Sequence, residues 1–254
     1  MKPTVFSILS APISVAVFRG AERLSAHPYD VSSVPESSVA QASSWSVSRA
    51  KRFLDVVASI VGLLLFSPFM LLLALLVGFT SKGPIFFAQR RVGSHGRLFT
   101  IFKFRTMEVA HASQNGSPIT VHGDRRITRV GVYMRRYKLD ELPQFYNVLC
   151  GDMSLVGPRP KLPHHEGMKM PFRPGLTGAA TLAFRREEEM LRGVPAHELD
   201  KFYEATVKPL KARLDSEYME QATMTSDLGL LLATASACVG LGYPAAPLDL
   251  SLNI

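Results

Sequence analysis

The run Val56 to Thr80, VVASIVGLLLFSPFMLLLALLVGFT, holds 25 residues without a charge, and no other feature of the chain constrains its fold as tightly. As a straight helix it would extend roughly 37 Å at about 1.5 Å per residue, enough to cross the hydrocarbon core of a bilayer. Ser67 and Pro68 sit at its midpoint, and basic residues flank both ends: Arg49, Lys51 and Arg52 before it, Lys82, Arg90 and Arg91 after it. Proline removes a helical hydrogen bond and kinks a helix, and Lys and Arg favour the cytoplasmic side of a membrane. Basic flanks at both ends therefore ask for both ends on one side. Two half-helices broken at Ser67-Pro68 would dip into one leaflet and return, with the Ser67 hydroxyl available to bond freed backbone carbonyls. A re-entrant membrane helix over 51–81 is the expectation; a kinked single span and a core helix of a soluble protein are the alternatives.

What surrounds this run divides the chain into three. Residues 1–50 read as a disordered tail, with eight serines between Val31 and Ala50, Pro35, and no sustained apolar period. Within it, Ala11 to Phe18 is too short and too interrupted by Pro12 and Ser14 to make a secretory signal. Residues 82–254 form the remaining domain. Its charge is lopsided: between Lys82 and Lys138 twelve Lys and Arg face only Glu108 and Asp124, a net of +10 against +8 for the whole chain. Such a basic segment either rests on anionic lipid headgroups, at about 1 kcal/mol per nearby cation, or binds phosphate groups. A pI near 9.7 with 47% hydrophobic residues excludes a wholly disordered, a collagenous or an acidic binding protein. Cys150 and Cys238 form neither a disulfide framework nor a metal knuckle and suit a reducing compartment.

The chemistry-bearing constellation is Arg135-Arg136-Tyr137-Lys138-Leu139-Asp140-Glu141-Leu142-Pro143. Two adjacent carboxylates follow a run of cations and precede a helix expected over Leu142 to Leu149. One reading is structural: Asp is a favoured N-cap, and Glu in a first turn suits the helix dipole. The other is chemical, because a carboxylate among Arg135, Arg136 and Lys138 would be held ionised beside an anion site. Such an aspartate can attack phosphorus and form an acyl-phosphate, and its neighbour could hold Mg²⁺, which takes one or two carboxylates plus phosphate oxygens.

With these residues the chain resembles the bacterial sugar transferases, the monotopic phosphoglycosyl transferases, over about residues 50 to 240. The likeness rests on motifs in order: Lys51-Arg52-x-x-Asp55, Ser67-Pro68, Gln89-Arg90-Arg91-Val92-Gly93, Lys103-Phe104-Arg105-Thr106-Met107, Asp140-Glu141-Leu142-Pro143-Gln144, Gly151-Asp152-Met153-Ser154, Pro158-Arg159-Pro160 and Arg173-Pro174-Gly175-Leu176-Thr177-Gly178. The resemblance implies a mainly helical α+β fold, a monotopic membrane protein whose re-entrant helix carries a cytoplasmic catalytic domain at the bacterial inner membrane. It implies transfer of sugar-1-phosphate from a UDP-sugar to polyprenyl (undecaprenyl) phosphate with release of UMP, opening the synthesis of exopolysaccharide, capsule or O-antigen. By the same likeness Asp140 is the nucleophile carrying a phosphosugar, and Glu141 binds Mg²⁺. Arg135 and Arg159 hold phosphates and nucleotide, and Lys103 and Arg105 line the same site. The implied partners are the UDP-sugar, polyprenyl phosphate, membrane lipid and enzymes of glycan assembly, and no nucleic acid.

Where many members continue after Gly178 into a Gly-Arg-Asn stretch, this chain has Ala183-Phe184-Arg185-Arg186-Glu187-Glu188-Glu189 and a longer insert ending near Leu214-Asp215-x-x-Tyr218. No sugar-binding residue is carried over into that region. Residues 186 to 222 are charge-mixed with apolar positions at helical spacing and read as surface-packed helix, and Asp227 to Gly240 as an apolar patch in the core or at the membrane interface. His164-His165-Glu166 lacks a third ligand and reads as a surface loop. A non-catalytic membrane adaptor and a membrane-tethered nucleic-acid binder remain as rivals; tolerance of Asp140→Asn would favour the first, and steeply salt-dependent DNA or RNA binding the second.

Overall fold

The computed structural model describes residues 42–108, 124, 126–163, 170–187, 191, 194, 195 and 197–240. The expected tail over 1–41 and the His164-His165-Glu166 loop lie outside the described residues. Helix α1 (Arg49–Thr80) starts where the Ser48 side chain accepts from Lys51 N, and stops where Ser81 N–H closes on Val77 O. Helix assignment runs unbroken through Pro68, which corrects the expected break at Ser67-Pro68. Pro68 has no N–H to offer Leu64 O, and the Ser67 hydroxyl donates to that same carbonyl at 2.9 Å, so the freed acceptor is satisfied without the chain leaving the helix.

Both halves of α1 meet the rest of the protein. Lys51, Asp55, Ser59 and Gly62 are buried on the first half, Leu73 and Val77 on the second, while Leu64, Leu65 and Leu71 are 71%, 68% and 64% exposed. The helix is long and apolar enough to cross a membrane. Residues 42–48, assigned by the sequence to the tail, instead fold back on the domain: Ser43 N and Ser46 Oγ both donate to Met219 O, and Trp45 Nε1 donates to Asp227. An indole that reaches a buried carboxylate fixes a segment that composition alone marks as disordered.

Beyond α1, strands β1 (Phe86–Val92) and β2 (Leu98–Phe104) form an antiparallel hairpin with Phe86 opposite Phe104 and Val92 opposite Leu98. The Phe86 and Phe104 rings stack at 5.2 Å across the hairpin, and Phe99 and Phe104 are buried in the core. Helix α2 (Arg129–Arg136) is capped by Thr128, whose hydroxyl accepts from Gly131 N. Only glycine fits at 131, because a Cβ there would lie 2.3 Å from Thr106 O. A 3-10 turn, Leu139–Glu141, leads to α3 (Gln144–Cys150).

Strand β3 (Ser154–Val156) pairs in parallel with β4 (Gly175–Thr177), which runs into α4 (Ala179–Ala183). Next come α5 (Leu199–Phe202), a π-helical turn (Tyr203–Val207), α6 (Lys208–Gln221) and α7 (Met224–Cys238). The fold is therefore α+β and mainly helical, and the helical reading of 186 to 222 holds over 199–221, while the described residues 186, 194, 195, 197 and 198 lie in turns, bends or irregular chain. One core joins β2, α3, β3 and α7 around Val148, Met153 and Leu230; another joins α4, α5 and α6 around Phe184, Leu199 and Leu210; a third seats Leu73 and Val77 of α1 on Phe104 and Met134.

Candidate active site

The Asp140-Glu141 pair sits in the 3-10 turn between α2 and α3, and the backbone reaches it through a strained residue. Lys138 has φ 57° and ψ 22°, the left-handed region that costs a side-chain-bearing residue about 1–2 kcal/mol. Lys138 occupies the position after the C-cap of α2, where glycine is usual, and the reversal turns both carboxylates inward: each residue is 7% exposed. Neither caps a helix. The N-cap of α3 is Pro143 without a side-chain cap bond, so the structural reading of the Asp-Glu pair has no bond to support it.

The two carboxylates have different surroundings. Glu141 Oε1 accepts from Lys103 Nζ at 2.8 Å and from Arg159 Nη2 at 2.6 Å, while Oε2 has only a 3.5 Å contact with Arg159 Nη1. Asp140 Oδ1 is buried and has no hydrogen-bond partner among the described residues. Burial alone would raise the Glu141 carboxyl, yet Arg159, Lys103 and Lys138 hold it well below the usual carboxylate range. Asp140 goes the other way, raised by burial and by the charge of Glu141 against the weaker pull of Lys103, Lys138 and Arg135. Of the cations expected to hold the aspartate ionised, Lys138 acts on Glu141 as well and Arg135 lowers Asp140 only weakly, while Lys103 and Arg159 pair with Glu141, so Asp140 is left the more basic of the two.

Asn147 sets the distance between the turn and β2. Its Oδ1 accepts from Phe102 N at 3.1 Å and its Nδ2 donates to Thr100 O at 2.7 Å, which docks α3 on the strand that carries Lys103. Burial lowers Lys103, with Glu141 opposing; Glu141 in turn raises Arg159 above its ordinary value.

Four of the six expected site residues come together: Asp140, Glu141, Lys103 and Arg159. Arg135, on the last turn of α2, acts on Asp140 through its charge. Arg105 is directed elsewhere: its Nη2 donates to Ser81 O and Oγ, both at 2.8 Å, at the C-terminal end of α1. Strand alternation puts Lys103 and Arg105 on one face, but Arg105 lies past the end of β2 and turns to the membrane helix.

The sequence reading passed over three residues that bear on the site. Arg91 lies close enough to Arg159 and Glu141 to feel both charges; burial, then Arg159, lowers it to about 10, and its Nη1 donates to Pro160 O at 3.0 Å, steadying the loop that presents Arg159. The Gln89-Arg90-Arg91-Val92-Gly93 motif contained that signal. Gln144 is 2% exposed with its Nε2 unpartnered among the described residues. Asp215 of α6 accepts from Ala180 N at 3.0 Å and from the backbone N–H of Arg159, and burial pushes its carboxyl up to about 7. No sequence spacing links Asp215 to Arg159.

Among the described residues no three His, Cys, Asp or Glu side chains converge as a metal-ligand set. Asp140 Oδ1 lacks a hydrogen-bond partner among the described residues and Glu141 Oε2 has only the long contact with Arg159, so both oxygens have capacity for a cation. Two carboxylates suit Mg²⁺, which keeps waters and substrate phosphate oxygens for its other positions, and do not suit a closed structural zinc site.

A family model described as "Bacterial sugar transferase" matches residues 46–240. The chain is 38% identical over 203 residues to the "UDP-glucose:undecaprenyl-phosphate glucose-1-phosphate transferase" of Caulobacter vibrioides, a match covering 74% of this chain and 69% of that protein. It is 34% identical over 204 residues to the "Exopolysaccharide production protein PSS" of Rhizobium leguminosarum bv. phaseoli, covering 72% and 92%. It is 44% identical over 140 residues to the "UDP-N-acetylgalactosamine-undecaprenyl-phosphate N-acetylgalactosaminephosphotransferase" of Aeromonas hydrophila, covering 51% and 33%. The chain thus spans about a third of the length of some curated relatives it matches.

Proposed function

The chain belongs to the bacterial sugar transferase family, and from that premise we propose that it transfers sugar-1-phosphate from a UDP-sugar to undecaprenyl phosphate, releasing UMP. The names of the Caulobacter and Aeromonas relatives support both substrates, and that of the Rhizobium relative supports a role in exopolysaccharide production. Capsule and O-antigen are the other glycans such a step would serve. The observation that carries the reading is the division of labour between Asp140, buried with a free oxygen, and Glu141, held by Lys103 and Arg159.

Asp140 is the nucleophile. Its carboxylate oxygen bonds to the sugar-bearing phosphorus of the donor as the bond from that phosphorus to the bridging oxygen breaks, and UMP leaves with the electron pair. An oxygen of undecaprenyl phosphate then bonds to the same phosphorus, and the Asp140 carboxylate is returned. Burial beside Glu141 raises the basicity of Asp140 and with it the strength of the nucleophile. Lys103, Arg159 and Arg91 surround the place where the diphosphate must sit and offset its charge. Glu141 keeps Lys103 and Arg159 in register, and its Oε2 with Asp140 Oδ1 would hold Mg²⁺, whose chemistry here is to neutralise phosphate charge.

The lipid substrate calls for a site at the membrane surface, and α1 supports a monotopic arrangement. Its first turn is bonded to the domain through Arg52, whose guanidinium donates to Val148 O at 2.6 Å and Leu149 O at 2.8 Å. Its last turn is bonded to the same domain through Ser81 and Arg105. A crossing helix carries its ends to opposite faces; here both ends are tied to one body, and the exposed leucines lie between them. We read α1 as re-entrant, its Leu64 carbonyl satisfied by the Ser67 hydroxyl where Pro68 offers no N–H, with the domain on the cytoplasmic face of the inner membrane, where UDP-sugars are made.

The test is UMP release by the purified chain from a panel of UDP-sugars with undecaprenyl phosphate and Mg²⁺. Wild type should release UMP with one sugar and Asp140→Asn should not; undiminished release by that variant removes Asp140 from its role, and no release by folded wild type removes the reading.

A further inference from the structure

The cations around Glu141 can hold a diphosphate, but a diphosphate is common to every UDP-sugar, so they cannot tell one sugar from another. We propose that Glu187, Tyr203 and Lys211 form the subsite that reads the donor's sugar, a polar and aromatic wall beside Arg159. This rests on the transferase reading above.

The wall is built by the α4–α5–α6 unit, whose apolar core around Phe184, Leu199 and Leu210 is separate from the core beneath β2 and α3. On the polar edge of that unit Lys211 Nζ donates to Glu187 Oε1 at 2.5 Å and lies 3.4 Å from Tyr203 Oη. The same ammonium stands 5.3 Å from the Phe184 ring centroid and 5.4 Å from that of Tyr203, within cation–π range. Three neighbours thus fix its position, while the side chains of Lys211 and Glu187 stay 23% and 26% exposed, open on the remaining side. A partly exposed ion pair adds little to stability, so so many constraints on one lysine point to a need for its position.

Two independent observations connect the wall to the reaction centre. The π-helical turn Tyr203–Val207 opens at Tyr203; such turns are rare and concentrate at functional sites. Lys211 and Asp215 are four residues apart on α6 and so share a face, and Asp215 binds the backbone N–H of Arg159. One helix face therefore sets both the wall and the loop that presents Arg159. Arg159 feels the charge of Glu187 as well as that of Glu141, and Tyr203 feels Arg159, so the wall and the guanidinium act on each other electrostatically.

The chemistry fits a hexose. Lys211 offers donors, Glu187 acceptors and Tyr203 both, and burial, then Glu187, pushes the Tyr203 phenol up to about 12, so it keeps its proton. A site built to hydrogen-bond a hydroxyl discriminates strongly against a sugar that lacks or misplaces it, because its own polar groups are left unpaired. The segment is also the one in which this chain departs from the commoner family pattern after Gly178.

The experiment compares kcat/KM for UMP release from UDP-glucose, UDP-galactose and UDP-N-acetylgalactosamine, and the inhibition constant of UDP, in wild type, Lys211→Met and Tyr203→Phe. Tyr203→Phe removes one oxygen and keeps the ring against Lys211, so it leaves the packing of the unit intact and reads the hydroxyl alone. The expected result is a fall of about tenfold or more in the preference for the best donor, with UDP inhibition unchanged, since UDP carries no sugar. A preserved donor preference, or a loss of UDP binding that matches the loss of donor, overturns the subsite. Wild type that releases UMP from none of the donors overturns the transferase reading and the subsite with it.

Discussion

Lys51 and Asp227, 176 residues apart in the chain, form an ion pair whose side chains are 7% and 10% exposed. It joins the first turn of α1 to the first turn of α7. Asp227 also accepts from Trp45 Nε1 at 2.8 Å and from Tyr218 Oη at 2.7 Å, so a single carboxylate gathers the segment entering the membrane helix, α6 and α7. Burial and the Asp227 charge raise the Tyr218 phenol far above its ordinary value, so it stays a donor at any working pH.

Removing Lys51 leaves a buried carboxylate with two neutral donors in place of a cation. Breaking a buried pair from one side costs about 3–5 kcal/mol, so Lys51→Met should lower the melting temperature in detergent by roughly 10 °C. Asp227→Asn in the Lys51→Met background should recover part of the loss, because it removes the uncompensated charge. Equal melting temperatures for wild type and Lys51→Met would show that the pair does not hold the helix.

Arg159 and Lys103 share one oxygen of Glu141, so either variant leaves Glu141 with a cation, and folding should survive. Arg159→Ala should reduce kcat/KM for UMP release by about 10²–10³, the usual cost of one donor to developing phosphate charge. Arg159→Lys should recover only part, since an ammonium cannot reproduce the fork that reaches both oxygens. Full activity in Arg159→Lys would reduce the residue to a point charge.

The long apolar helix was legible in the sequence because it is local, and the gathering of Asp140, Glu141, Lys103 and Arg159 in one site because each is carried by a motif. Lys51, Arg52 and Asp55 were legible as a motif, and the first two as a basic flank; their work, tying α1 to Asp227, to the end of α3 and to Leu155 N, depends on partners about a hundred residues or more away. Arg105 looked like Lys103 by spacing and differs because β2 ends between them. Asp215 and Trp45 were beyond reach for the same reason: burial and long-range backbone bonds leave no periodic trace.

Asp215 gives the domain a pH dependence of known sign. Its folded value, about 7, exceeds the unfolded value near 4, so the folded state binds the proton more tightly, and stability is full below about pH 4 and falls as pH rises through 7. The groups facing it are Lys161, Lys211 and the N–H groups of Ala180 and Arg159. Between pH 5 and pH 8 wild type should lose on the order of 2–3 kcal/mol relative to Asp215→Asn, about 5–10 °C of melting temperature. Parallel melting curves for the two proteins across that range would place the Asp215 carboxyl at an ordinary value.

Metal removal tests Glu141 separately from its cations. EDTA should abolish UMP release and added Mg²⁺ restore it, and Glu141→Gln should raise the Mg²⁺ concentration for half-maximal rate about tenfold or more. Undiminished turnover in EDTA would leave Glu141 solely as the brace for Lys103 and Arg159.

The arrangement of α1 can be decided by where its ends face. Ala50, in the first turn of α1, and Pro84, just past its end, are exposed, so a cysteine at either position, with Cys150 and Cys238 replaced by serine, is open to a thiol reagent on its own side of the membrane. Arg52 at one end and Ser81 at the other are bonded to a single domain, and a helix that crossed the bilayer would have to break one of those anchors. A membrane-impermeant reagent added to intact cells should therefore label neither Ala50→Cys nor Pro84→Cys, and should label both after permeabilisation. Labelling of one alone in intact cells would show a true span, with Arg105 or Arg52 freed from its carbonyls. Ser67→Ala refines the outcome: with Pro68 in place and no hydroxyl to satisfy Leu64 O, one carbonyl faces hydrocarbon unpaired, and the helix should be less stable by about 1–2 kcal/mol without changing the side on which either end is found.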